Sequence, residues 1–115
     1  MRVRFRILIF RGSEPLKRKS LSGKKDPLNT GLRYLLEFKY LEASKWLLLA
    51  PDSWEKYILL ALINLSLGQE ETALDFFDQA KEYPRITDLR IFISSGGETV
   101  EVNTRTDPDL LLKRA

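Results

Sequence analysis

The side chains of this 115-residue chain best equipped for chemistry are cations near its start. Arg2, Arg4 and Arg6 recur at every second position, and Lys17, Arg18, Lys19, Lys24 and Lys25 follow in one short segment. Cations at this density attract phosphate-rich partners by releasing condensed counterions, a binding mode strong at low salt and indifferent to base sequence. No aromatic residue is interleaved from Gly12 to Thr30, so base stacking has no support there. A solvated loop explains the same lysines, and arginines on a strand also deter pairing with another chain. Carboxylates form a second set. Glu70 and Glu71 suit the positive end of a helix, and Asp75, Asp78 and Glu82 follow at spacings of three and four. Acid–base catalysis needs one carboxyl desolvated beside a polar neighbour; these positions line a solvated helix face instead. Gly96 and Gly97 lack the spaced glycines, lysine and hydroxyl of a phosphate loop. The sequence has no histidine and no cysteine, so the near-neutral base, the thiol nucleophile and the usual zinc ligands are missing. The expectation is a protein with no catalytic residue, no metal and no cofactor.

Charge is unevenly distributed. Residues 1–33 hold 10 Lys/Arg against Glu14 and Asp26, whereas residues 34–115 hold 9 against 14 acids. Either the head contacts nucleic acid or it lies against the acidic remainder.

The elements that position these groups follow from periodicity. Val3, Phe5, Ile7 and Ile9 alternate with Arg2, Arg4, Arg6 and Leu8, which predicts a strand from Arg2 to Phe10. Residues 12–27 show no apolar period and are expected to form a mobile basic loop. Helical hairpins are expected over 29–84. The first helix starts at Asn29 or Thr30, either able to cap, and the second carries Leu41, Ala43, Trp46 and Leu47 and stops at Pro51. Asp52 with Glu55 reads as a capping box for the third, which ends at Gly68. The fourth runs from Glu70 to Tyr83. A β-hairpin is expected over 88–104. With Gly96 and Gly97 as the turn, Ser95 pairs with Glu98, Ile93 with Val100 and Ile91 with Val102. Asp107 and Pro108 begin a short tail helix over 107–114. The longest apolar stretch, Tyr57 to Leu67, has 11 residues, whereas a membrane helix needs about 20. Met1 to Phe10 lacks the continuous apolar block of a secretory leader. The expected location is cytoplasmic.

From Gly68 to Pro84 the residues resemble the tetratricopeptide-repeat (TPR) family. Gly68 matches the inter-helix turn, Ala73 and Ala80 the small crossing positions, Phe77 the large packing residue and Pro84 the repeat end, one residue early. Tyr57 and Leu60 match the aromatic and leucine positions of the preceding helix, while Ala61 replaces the usual glycine and Asn64 the usual aromatic. A poorer copy places Ala43 and Ala50 at an offset of 30 residues from Ala73 and Ala80, against about 34 in the family. The resemblance implies a scaffold that holds extended peptides. By position its binding face is Glu55, Ile58, Leu62, Leu65 and Ser66. That helix is apolar nearly all round, with Trp54, Leu59, Leu60 and Ile63 on its other sides, as in a covered central helix. The sheet is therefore expected to lie over Ile58, Leu62 and Leu65, an open peptide groove being the alternative.

These readings converge on a single α+β domain, TPR-like hairpins packed against a small sheet made of the N-terminal strand and the C-terminal hairpin. The function expected is a non-catalytic intracellular module for protein–protein interaction or assembly, its partner unidentified or a second copy. The alternative is an electrostatic nucleic-acid-binding accessory protein that uses the basic head.

Overall fold

In the computed structural model, which describes residues 5–114 and the side chains of residues 5–112, these periodicities become an α+β fold. Strand β1 (Arg6–Arg11) turns through Gly12 into the two-residue β2 (Glu14–Pro15), followed by a single 3-10 turn at Arg18–Leu21. Four helices come next: α1 (Pro27–Leu36), α2 (Tyr40–Leu49), α3 (Trp54–Ser66) and α4 (Glu70–Ala80). Strands β3 (Leu89–Ser95) and β4 (Glu98–Val102) form a hairpin, and α5 (Pro108–Arg114) ends the chain.

The sheet is antiparallel in the order β2-β1-β3-β4. The hairpin register is the expected one, Ser95 opposite Glu98, Ile93 opposite Val100 and Ile91 opposite Val102. Both turn glycines have positive φ, 57° and 85°, the conformation that matches the twist of tightly joined strands. Ile7 faces Ile93 and Ile9 faces Ile91, all four buried towards the helices. The opposite face carries exposed Arg6 and Arg90 with half-buried Leu8, Phe10 and Phe92. There Phe10 and Phe92 meet edge to face at 5.0 Å, and Arg90 lies over Phe92 while binding Glu101 with two nitrogens.

The helices form two hairpins with one turn design. In the first, Phe38 N–H donates to Leu35 and Lys39 N–H to Tyr34; in the second, Gly68 N–H donates to Leu65 and Gln69 N–H to Asn64. This double closure of a helix end needs a left-handed residue. Phe38 (φ 61°) and Gly68 (φ 83°) supply it, 30 residues apart. The crossings are close. Gly31 is buried, and a Cβ there would stand 2.9 Å from Leu47 Cγ, while its counterpart Ala61 is fully buried.

Two helix starts and one loop differ from expectation. Helix α1 begins at Pro27, not near Asn29 or Thr30, because Asp26 accepts from the Asn29 amide and proline at the first helical position has no N–H to satisfy. Helix α3 is capped by Ser53, which accepts from the Lys56 amide, leaving Asp52 and Glu55 for other contacts. The basic segment 12–27 is anchored rather than unattached: Leu16 and Leu21 are buried in the core, and Leu16 N–H donates to Ile9. Two isolated leucines make no period, which is why the sequence pattern reads as loop.

Candidate functional site

Helix α3 contains the residues that the family resemblance assigns to peptide binding. Twelve of its 13 residues are buried, all but Asn64, and Glu55, Ile58, Leu62, Leu65 and Ser66 are each no more than 5 % exposed. The structure thus brings these five together as core, and they offer no open surface. Both ends of the helix are tied to the sheet. At the far end the Ser66 hydroxyl donates to the Phe5 carbonyl at 3.2 Å, just before β1. At the near end Glu55 reaches the segment before β3: Oε1 and Oε2 accept from Ile86 N–H at 3.1 Å, and Oε2 also accepts from Thr87 N–H at 2.7 Å and Thr87 Oγ1 at 2.6 Å. Arg85 stacks on Trp54 at 4.8 Å beside this anchor. Helix α3 is thus held at one end to the residue before β1 and at the other to the segment before β3, the two strands that pair in the middle of the sheet.

Glu55 and Lys56 are the desolvated ionic groups that could have signalled chemistry. Both are structurally saturated. Lys56 Nζ donates to the carbonyls of Leu48 (3.2 Å) and Ala50 (2.8 Å) and pairs with Asp52 at 3.2 Å, closing the negative end of α2. Asp52 also accepts from the Tyr57 hydroxyl at 2.7 Å. That bond and the lysine hold the Asp52 carboxyl below the usual range, and the same bond pushes the Tyr57 phenol up to about 12. Tyr57 stacks further on Tyr83 and Phe76. Neither buried ion lines the three surface clefts described, whose volumes are about 580 to 620 Å3. Among the described residues no three His, Cys, Asp or Glu side chains gather as metal ligands, and no helix is long and apolar enough to cross a membrane.

The cations are spread. Arg2 and Arg4 lie outside the described residues. Arg6 sits on the outer sheet face with its guanidinium over Phe38 at 5.1 Å. Lys17, Arg18, Lys19, Lys24 and Lys25 are exposed on the segment packed against α1, and of these Arg18 pairs with Glu37 at 3.8 Å. Arg11 reaches Asp88 at 3.4 Å. Among the described residues none of these cations forms an ion pair with Glu71, Asp75, Asp78 or Glu82. Glu70, Glu71, Asp75, Asp78 and Glu82 are exposed.

Seven large apolar side chains are exposed among the described residues, and four of them lie on the ten-residue α2: Leu41, Trp46, Leu48 and Leu49. Leu41 and Leu48 share a helical stripe with Lys45, away from the buried Tyr40, Ala43 and Leu47. Trp54, by contrast, is buried. Sequence pattern missed this surface because α2 is leucine-rich on every side, so its apolar residues read as core. Comparison with protein-family models, curated proteins and solved structures returns no match.

Proposed function

We propose that the protein is a non-catalytic interaction or assembly module with a TPR-like helical core, and that it engages its protein partner through the outer face of α2. The observation carrying this reading is the concentration of Leu41, Trp46, Leu48 and Leu49 on one exposed helix. Contiguous exposed apolar surface of this kind marks interaction sites. The sheet over α3 fills the place where a repeat scaffold would hold a peptide, so recognition moves to the outside of the first hairpin. The test is Leu48→Asp combined with Leu49→Asp, two exposed positions whose change leaves the core intact. Wild-type protein is expected to self-associate in sedimentation velocity or to be crosslinked to a specific partner, and the double variant to lose that association. A wild-type monomer whose crosslinking pattern matches the variant's sinks the reading.

A second reading, electrostatic nucleic-acid binding by the head, is favoured by one observation: Lys17, Lys19 and Lys25 are exposed and make no ion pair among the described residues. Binding to duplex and single-stranded DNA across a salt series separates the two, and lack of retention at low salt eliminates this one.

A further inference from the structure

Where β1 begins, the turn between α1 and α2 and the tip of the β3–β4 hairpin border a cleft of about 620 Å3. Its walls include Arg6, Phe38, Tyr40, Ser94, Ser95 and Gly96, and among the described residues Arg6 is the one charged residue in the lining. Glu98, opposite Ser95 in register, does not line it.

The cleft gathers hydrogen-bond donors that have no acceptor among the described residues. Arg6 is exposed, has one guanidinium face against the Phe38 ring, and makes no ion pair among the described residues. Its forked N–H edge matches the two oxygens of a carboxylate or phosphate. Tyr40 is buried, and its hydroxyl oxygen accepts from Ile7 N–H at 3.0 Å. The phenolic proton remains to be donated, and no acceptor for it exists among the described residues. Because Ile7 N–H turns away from β3 to reach Tyr40, Arg6 and its register partner Ser94 form the hydrogen-bonded type of antiparallel pair, with Cα atoms about 5.5 Å apart. The Ser94 hydroxyl therefore stands beside the Arg6 side chain on the same sheet face, and Ser95 adds a further hydroxyl to the lining.

Phe38 supplies an independent indication. It occupies the left-handed turn position that Gly68 fills in the second hairpin, where a side chain is disfavoured and glycine is the usual solution. Half of its surface is exposed (51 %), so burial does not account for the ring. Among the described residues its ring carries one cation contact, the Arg6 guanidinium. Strained non-glycine residues of this kind concentrate at ligand sites.

We propose that this cleft binds a small planar ligand bearing an oxyanion, a ring with a carboxylate or a phosphate. The oxyanion takes the Arg6 fork with the Ser94 hydroxyl, and the ring stacks on the open face of the guanidinium, whose other face rests on Phe38. This site is separate from the outer face of α2, and its failure leaves that interface untouched.

Amide and arginine-side-chain NMR titrations of the full chain test the proposal with benzoate and adenosine monophosphate, against benzamide, adenosine and inorganic phosphate. Saturable shifts confined to Arg6, Phe38, Ser94, Ser95 and Gly96 are expected from at least one ring anion. Benzoate alone assigns a carboxylate ligand, and the nucleotide alone a phosphate. The neutral rings and bare phosphate are expected to bind about tenfold more weakly, and Arg6→Gln to weaken the ring anion by about tenfold or more. Arg6→Lys keeps the charge without the fork and falls between. No saturable shift from either ring anion, an affinity unchanged by Arg6→Gln, or bare phosphate binding as tightly as both ring anions overturns the proposal. Arg6 is exposed, so these variants are expected to fold, and their circular dichroism checks that.

Discussion

Glu55 joins the first turn of α3 to the segment that launches β3, and all four of its hydrogen bonds come from Ile86 and Thr87. Truncating it leaves two part-buried amides without their carboxylate, so Glu55→Ala is expected to lower the free energy of unfolding by about 2 kcal/mol, measured by urea denaturation. Glu55→Gln is expected to recover only part, because its amide turns a donor towards donors. The Asp52 and Tyr57 pair governs pH response. Tyr57 is raised from 10.0 to about 12 by its bond to Asp52, so its contribution is complete below pH 10 and is lost as pH rises towards 12. The depressed Asp52 carboxyl acts in the opposite sense, contributing fully above its ordinary value of 3.8 and less as pH falls through its lower folded value. Tyr57→Phe should remove the highest-pH step from the tyrosinate absorbance titration and flatten the alkaline limb of stability. Residue roles were the least legible part of the sequence. Asp52 and Glu55 have the spacing of a capping box, yet the neighbouring Ser53 takes the cap, and only the distant Thr87 reveals what Glu55 does. The Asp26–Pro27 start of α1 carries the same signal as Asp107–Pro108, but surrounding lysines and glycines disguised it as loop.

The two hairpins repeat a turn with different residues, which makes them a controlled comparison. Gly68→Ala places a Cβ in a left-handed backbone and is expected to cost about 1 kcal/mol. Phe38→Gly is expected to stay within about 0.5 kcal/mol of wild type, since relief of the left-handed strain offsets the added freedom of the unfolded chain. Thermal melts of both variants check the pair. At the first crossing, Gly31→Ala brings a methyl to 2.9 Å from Leu47 Cγ and 3.3 Å from the Ala43 carbonyl. Despite the better helix propensity of alanine, overpacking is expected to dominate by about 1 to 2 kcal/mol. Element type and order were legible because period two and period 3.6 alternate cleanly along the chain. The β3–β4 register was legible too, since only one pairing across Gly96 and Gly97 puts Ile91, Ile93, Val100 and Val102 on one face. The outer face of α2 was not, because leucine spacing alone does not say which stripe finds a neighbour. Nor was the corner cleft: Arg6, Phe38 and Ser94 are far apart in sequence, and their meeting depends on β1 pairing with β3.

At the scale of the whole molecule, charge is uneven along the chain: among the described residues, exposed cations of residues 17–25 lie on the segment against α1 and exposed acids lie on α4. This polarity was countable in the sequence, but whether the two regions touch was not. The exposure of Lys17, Lys19 and Lys25 predicts that any nucleic-acid affinity falls steeply with salt, with a slope of about −0.9 for each phosphate neutralised in duplex binding. The sheet has a further consequence for how the chain comes into being. Because β1 is an inner strand whose neighbour β3 lies about eighty residues later, the nascent chain exposes Ile7 and Ile9 throughout synthesis of the four helices. The hairpins rest on local contacts and can form as they emerge, whereas closure around α3 waits until β3 has been synthesised. During that interval a ribosome-bound or chaperone-held chain carries an unpaired apolar strand, and the final folding step consists of β3 arriving to cover it.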